Sequence, residues 1–267
     1  MISARDFLLR GLLAGLLAGV VAFGVGYAVG EPSLNAAIAM EDAGSPSHER
    51  ATTGTAGDDG SVAGPDLADG STEVPRSLQS TLGLLTAAAV TGTTLGGLVG
   101  VLAALALGRV VAGIRASALL MAGTGFVAVS LVPFLAYPPN PPSVGRAETL
   151  GYRTSLYFVM LAVSVIVAVT AVAVGTRLHD RVGGWSASLA AIAGYVLVVG
   201  VVIALMPGYD EVPAGFPAEL LYDFRSASLL TQVTLWAVLG LALAELAHRR
   251  FGRTPTPTPA QWQRSAL

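Results

Sequence analysis

No cysteine occurs among the 267 residues, which excludes a disulfide framework, a thiolate metal site and a cysteine nucleophile. Lysine is missing as well, so all 15 positive charges are arginine. Only 12% of the residues are charged, roughly half of the quarter or so usual in soluble domains, so an ordinary soluble domain is excluded. Histidine is scarce: His48, His179 and His248 are the three present. Any metal would therefore be held largely by carboxylate, amide or backbone oxygen. The formal net charge is −2 with no basic face, which excludes nucleic acid as a partner.

What the chain has in quantity is apolar sequence, with 53% hydrophobic residues and 32 glycines. Six runs carry no charge: 11 to 30, 77 to 108, 116 to 145, 154 to 176, 182 to 209 and 226 to 244. A helix crosses a bilayer with roughly 20 apolar residues, so each run can span once, and none is long enough to span twice with a turn. The pattern predicts an all-α, polytopic membrane domain with helices at about 8–29, 80–107, 117–136, 154–176, 185–206 and 226–247. The first has the flanking Arg5 and Arg10 of a signal peptide. Its apolar stretch exceeds the roughly 7 to 15 residues of a signal core, so it reads as an anchored helix.

Arginine sets the expected orientation, because cytoplasmic loops retain positive charge. With the N-terminus inside, arginines 5, 10, 109, 115, 177, 181, 249, 250, 253 and 264 are cytoplasmic, and 50, 76, 146, 153 and 225 are external. Both termini are then cytoplasmic. Of the acidic residues only Asp6, Asp180 and Glu245 fall inside, leaving an acidic outer face that would attract cations. Tyr27, Tyr137, Tyr152, Tyr157, Tyr209 and Tyr222 all fall near external span ends, where an amphipathic ring is most stable.

Residues 42–75 are rich in Gly, Ser, Thr, Asp and Pro and are expected to form a disordered external loop; residues 252–267, with three Thr-Pro repeats, are expected to be a disordered cytoplasmic tail. Gly11, Gly15 and Gly19 recur every fourth residue in the first span, and Gly92, Gly96 and Gly100 do so in the second. On a helix each triplet makes a smooth groove suited to close packing. A sliding surface is the functional alternative, and tight packing is favoured.

The span interiors hold no Asp, Glu, Arg or His, the devices by which ion-coupled pumps carry charge at depth. Gln232 is their most polar residue and is expected to make an interhelical hydrogen bond. Polar chemistry gathers instead at the external ends. Gly30-Glu31-Pro32 closes span one, Pro133 to Pro142 closes span three, and Pro207 to Pro217 joins spans five and six. Proline fixes φ and disfavours helix before it, so these segments are predicted to be rigid and non-helical. Pro217 suits the start of a last helix reaching about residue 248, which sets Glu219 and Asp223 four residues apart on one face. Those two, with Glu31, Asp210 and Glu211, offer hard oxygen ligands to a divalent cation if they converge. The same residues would equally make a solvated rim paired to Arg153 and Arg225. His48 adds one more candidate metal ligand, in the external loop. No nucleophile elbow, phosphate loop or His-Glu-x-x-His pattern occurs, so no enzyme is expected.

Three blocks carry a family likeness. They are Leu8-Leu9-Arg10-Gly11-Leu12-Leu13-Ala14-Gly15 leading to Gly30-Glu31-Pro32; Val132 to Pro142 with Gly151-Tyr152-Arg153; and Asp210-Glu211-Val212-Pro213 through Gly215-Phe216-Pro217 to Phe224-Arg225. On these the chain resembles the CbtA family of predicted cobalt transporter subunits, over most of its length apart from the 42–75 loop and the tail. The resemblance implies a multi-pass inner-membrane protein acting in cobalt uptake, with Co2+ as substrate and no permanently bound cofactor. It also implies a small one-span partner with a His-rich motif, beside the lipid bilayer itself. The outer segments direct attention to Tyr137, Asn140, Glu148, Tyr152, Arg153 and Arg225 as structural residues of the outer face. A different class of function, a non-transporting scaffold that positions a partner through its glycine grooves, remains the competing expectation.

Overall fold

The computed structural model describes residues 4–44 and 75–251. Six helices in it are long and apolar enough to cross a membrane: Ala4–Glu41, Arg76–Ala106, Ile114–Ala136, Leu150–Val182, Gly184–Leu205 and Ala218–Arg249. They are called spans one to six. In lipid a helix satisfies every backbone donor and acceptor within itself, which is why apolar runs of this length adopt it. Among the described residues no β-strand occurs, only one isolated bridge between Leu107 and Val111. His48, most of the 42–75 loop and the 252–267 tail lie outside the described residues, while residues 42–44 end a helix.

Spans one, two, three and six form the core. Phe7, Ala14, Ala18, Ala22, Val99, Ala103, Ala118 and Ala122 pack there with Leu235, Trp236, Leu239 and Leu243. Small side chains dominate because lipid is as apolar as leucine, so helices adhere in a membrane through close van der Waals approach. Spans one and two are the extreme case, and here the glycine grooves do pack tightly, each against the other. A Cβ on Gly15 would stand 2.9 Å from the Gly96 Cα, and one on Gly100 would stand 3.1 Å from the Gly11 Cα. A Cβ on Gly92 would stand 2.9 Å from the Gly19 Cα, and one on Gly19 would stand 2.9 Å from the Ala89 Cα. Ser117 adds a polar tie by donating its hydroxyl to the Ala103 carbonyl.

Spans four and five make a hairpin that, among the described residues, joins the core mainly through span three. Val132, Tyr137, Met160 and Val199 form the small second cluster at that junction. Gly183, with φ of +79°, turns the chain between spans four and five, and its N–H closes the fourth span on the His179 carbonyl at 3.0 Å. Left-handed backbone is open to glycine at little cost, which suits it to this helix end. Ile192, Val196 and Leu197 of span five remain exposed on the apolar surface.

One expectation is overturned. Gly30-Glu31-Pro32 does not end span one; the helix continues to Gly44. The reason is a wide π turn over Gly26–Gly30 directly before Pro32. Proline lacks an N–H and its ring strikes the carbonyl four residues back, and an inserted residue in a π turn moves that carbonyl aside. The same device recurs at Phe126–Leu131 before Pro133, so span three also runs past its first proline to Ala136. The remaining proline segments, after Tyr137 and after Leu205, are non-helical as expected. Span six begins at Ala218, with the Pro217 carbonyl accepting from Leu221 N–H at 3.2 Å.

Candidate functional site

Tyr137 leaves the helix at φ −138° and ψ 79°; residues 138–141 are non-helical, and the chain then turns at Pro142 and Ser143, where Ser143 has φ of 67° and Val144 N–H donates to the Pro141 carbonyl at 3.2 Å. The segment meets the link between spans five and six. The Tyr137 hydroxyl donates to the Pro207 carbonyl at 3.0 Å, and its ring stacks on Tyr209 with centroids 5.5 Å apart and planes 2° from parallel. The Arg153 guanidinium lies 6.0 Å from the centroid of the Tyr209 ring, and its Nε stands 3.3 Å from Glu211 Oε2. Arg146 N–H donates to the same carboxylate oxygen at 3.0 Å.

Glu211 is thereby enclosed, with 9% of its side chain exposed. Its carboxyl is held below its ordinary value of 4.5, first by the Thr149 hydroxyl, which also faces the Arg146 carbonyl, then by Arg146 N–H and by the charges of Arg153 and Arg146. Burial pushes the Tyr209 phenol up, and Arg153 opposes that shift. Arg225 completes the frame by donating Nη2 to Asn140 Oδ1 at 2.9 Å and Nε to the Pro139 carbonyl at 3.3 Å. A cavity of about 100 Å³ remains between Tyr137, Asn140, Tyr209, Asp210, Glu211 and Arg225.

The other sequence candidates lie apart from this cluster. Glu31 is buried against Arg76, with Oε2 2.7 Å from Nη2. Asp210 is exposed and accepts from Val212 N–H in its own turn. Glu219 and Asp223 are exposed on the first turns of span six, and Glu148 and Tyr152 are exposed at the entry to span four. The five described carboxylates are not gathered into one constellation: among the described residues, no three His, Asp or Glu side chains form a group able to hold a metal ion. Glu211 takes up the predicted pairing with Arg153, whereas Arg225 engages an amide and a carbonyl.

Sequence reasoning missed three partners. Arg76 entered only as a charge beside the external loop, although its place at the start of span two puts it beside Glu31 of span one. Thr149 and the Arg146 N–H gave no signal. Deeper in the bundle, Gln232 Oε1 accepts from Ser130 at 3.1 Å, and Ser130 accepts from Trp236 Nε1 at 2.8 Å, which is the interhelical bond expected of that glutamine.

Six apolar helices framing a polar, proline-bounded cluster at one end define a multi-pass helical membrane protein. A family model described as probable cobalt transporter subunit, CbtA, matches residues 4–248. The chain belongs to that family, which is one of transporter subunits and not a class of enzyme, and a subunit implies a partner. No curated protein and no solved structure matches the chain.

Proposed function

We propose that the chain is the membrane subunit of a cobalt, or wider divalent-metal, uptake system, and that the metal is attracted and selected at its acidic, proline-rich outer face. Membership of the cobalt transporter family over residues 4–248 is the observation that carries this reading. Co2+ is the substrate and not a resident cofactor. The orientation puts the proline-rich end outside and both termini in the cytoplasm, in the cell membrane, because ten of the fifteen arginines then lie inside.

Asp210, Glu219 and Asp223 are exposed at that face, where carboxylates concentrate cations by charge before any fixed ligand is engaged. Glu31 and Glu211 are held by Arg76 and Arg153 and become ligands only on release. A small one-span, His-rich partner supplies the imidazole nitrogen ligands that the span interiors lack. The competing scaffold would hold its partner through the glycine grooves, yet both grooves are filled by each other, so that role would require parting spans one and two. Uptake of radiolabelled Co2+ by cells expressing the chain, with and without a candidate partner, tests the reading. Accumulation above the level of empty cells supports it, and none in either case refutes it.

A further inference from the structure

At the end opposite the proline cluster, a cleft of about 910 Å³ opens between span three and the hairpin of spans four and five. Arg109, His179 and Asp180 stand at its mouth. Its lining runs inward past Thr124, Ala171 and Ser188 to Val127 and Tyr195. There Tyr195 and the fully buried Ser164 share a hydrogen bond of 2.8 Å. Tyr195 is also where the second apolar cluster begins, and that cluster closes the same interface with Val132, Met160 and Val199. Beyond it come the Tyr137–Tyr209 stack and the small cavity beside Glu211. Cleft, apolar plug and outer cavity therefore follow one another along a single interface. Tyr195 and Met206 are separated by about 16 Å of helix at 1.5 Å per residue.

We infer that this interface is the permeation route and that the structure is its inward-open state: the cleft is a water-filled cytoplasmic vestibule, and the Tyr137–Pro207, Tyr137–Tyr209 and Glu211–Arg153 contacts are a closed outer gate. The inference rests on the transport reading and deepens it. A packed core has discrete arrangements, and a hairpin anchored through one neighbour is free to rock against it. Spans one, two, three and six, held together by glycine and by the Trp236–Ser130 hydrogen bond, form the fixed side. Inward of Arg109, His179 and Asp180 the polar groups along the mostly apolar cleft are the neutral hydroxyls of Thr124, Thr176, Ser188 and Tyr195, past which a cation would travel with much of its water shell, to discharge beside Asp180.

The absence of cysteine makes the test direct. In membranes containing the full chain, Thr124→Cys and Ala171→Cys are exposed to an impermeant thiol reagent from each side in turn. Ile166→Cys, on the exposed face of span four away from the cleft, is the lipid-facing reference. Thiols react as thiolates, which need water, so both cleft positions should label at least about tenfold faster than Ile166→Cys from the cytoplasmic side, and not from outside. Adding Glu211→Gln to Ala171→Cys should bring labelling from outside. Cleft positions as inert as Ile166→Cys from both sides would mean a lipid-filled groove and overturn the inference. Labelling of the single variants from outside, or no outside labelling when Glu211→Gln is added, would overturn the gate. None of these readouts needs cobalt, so they fail independently of the uptake measurement.

Discussion

Gly15 and Gly96 approach so closely that a Cβ on Gly96 would stand 2.6 Å from the Gly15 Cα, which leaves no room for any side chain between spans one and two. The obstruction is backbone on both sides and cannot rotate away. Gly15→Leu or Gly96→Leu should therefore prevent assembly, and even Gly15→Ala should cost more than the roughly 1–3 kcal/mol usual for overpacking. Gly24, with nothing within 4 Å of its Cβ direction, should tolerate alanine. Yield and thermal stability in detergent check the series. Normal values for both leucine variants would refute the packing role.

Orientation gives a second expectation. With a cytoplasmic C-terminus and an external first loop, Ser61→Cys should react with an impermeant thiol reagent on intact cells whose outer face is accessible, and Ser265→Cys should not. The reverse pattern would turn the protein over in the membrane.

The enclosure of Glu211 makes a statement about pH. A carboxyl whose folded value is depressed gives stability that is fully present above its ordinary value of 4.5 and is lost as pH falls through the lower folded value. Contact between the 137–146 segment and the span five to six link should be insensitive to pH from neutrality down to the ordinary value of 4.5. It should weaken as pH falls from there through the lower folded value, and Glu211→Gln should remove that acid-side dependence. Thermal melts of both proteins across the acid range measure this, and a wild-type decline already at neutral pH would assign the titration to another group.

Selection at the outer face predicts a contrast between two alterations. Neutralising Asp210→Asn and Glu211→Gln together should abolish cobalt-dependent growth, while replacing residues 52–70 by a neutral Gly/Ser linker should slow uptake modestly. Flexible chain ordered around an ion costs roughly 1–2 kcal/mol per residue in backbone entropy, whereas the proline-bounded link is already fixed. Loss of uptake with the linker, and retention with the double neutralisation, would make the loop the metal collector.

Much of this architecture was legible because membrane spans announce themselves by the length of their charge-free runs, and the glycine triplets by their fourfold spacing. The ends of the helices were less so. Proline at 32 and 133 reads as a stop, yet the π turns before both let the helix continue, and no local pattern marks a π turn. The site was legible in its parts and not in its assembly. Proline located the segments, but the pairing of Glu31 with Arg76 and of Glu211 with Arg153 depends on which helix ends lie side by side. Sign of charge counted along the chain cannot distinguish a carboxylate awaiting a cation from one already held by arginine.

The hairpin of spans four and five has a final consequence. Most of its surface is not packed on protein, so in a bilayer its tilt would answer to membrane thickness as well as to its packing on span three. The charge-free run of span four, 154–176, is about 35 Å of helix, against a hydrocarbon layer of roughly 30 Å. The glycine-locked spans cannot lean to absorb such a mismatch. The hairpin can, which makes membrane composition itself an influence on how the two halves of the molecule meet.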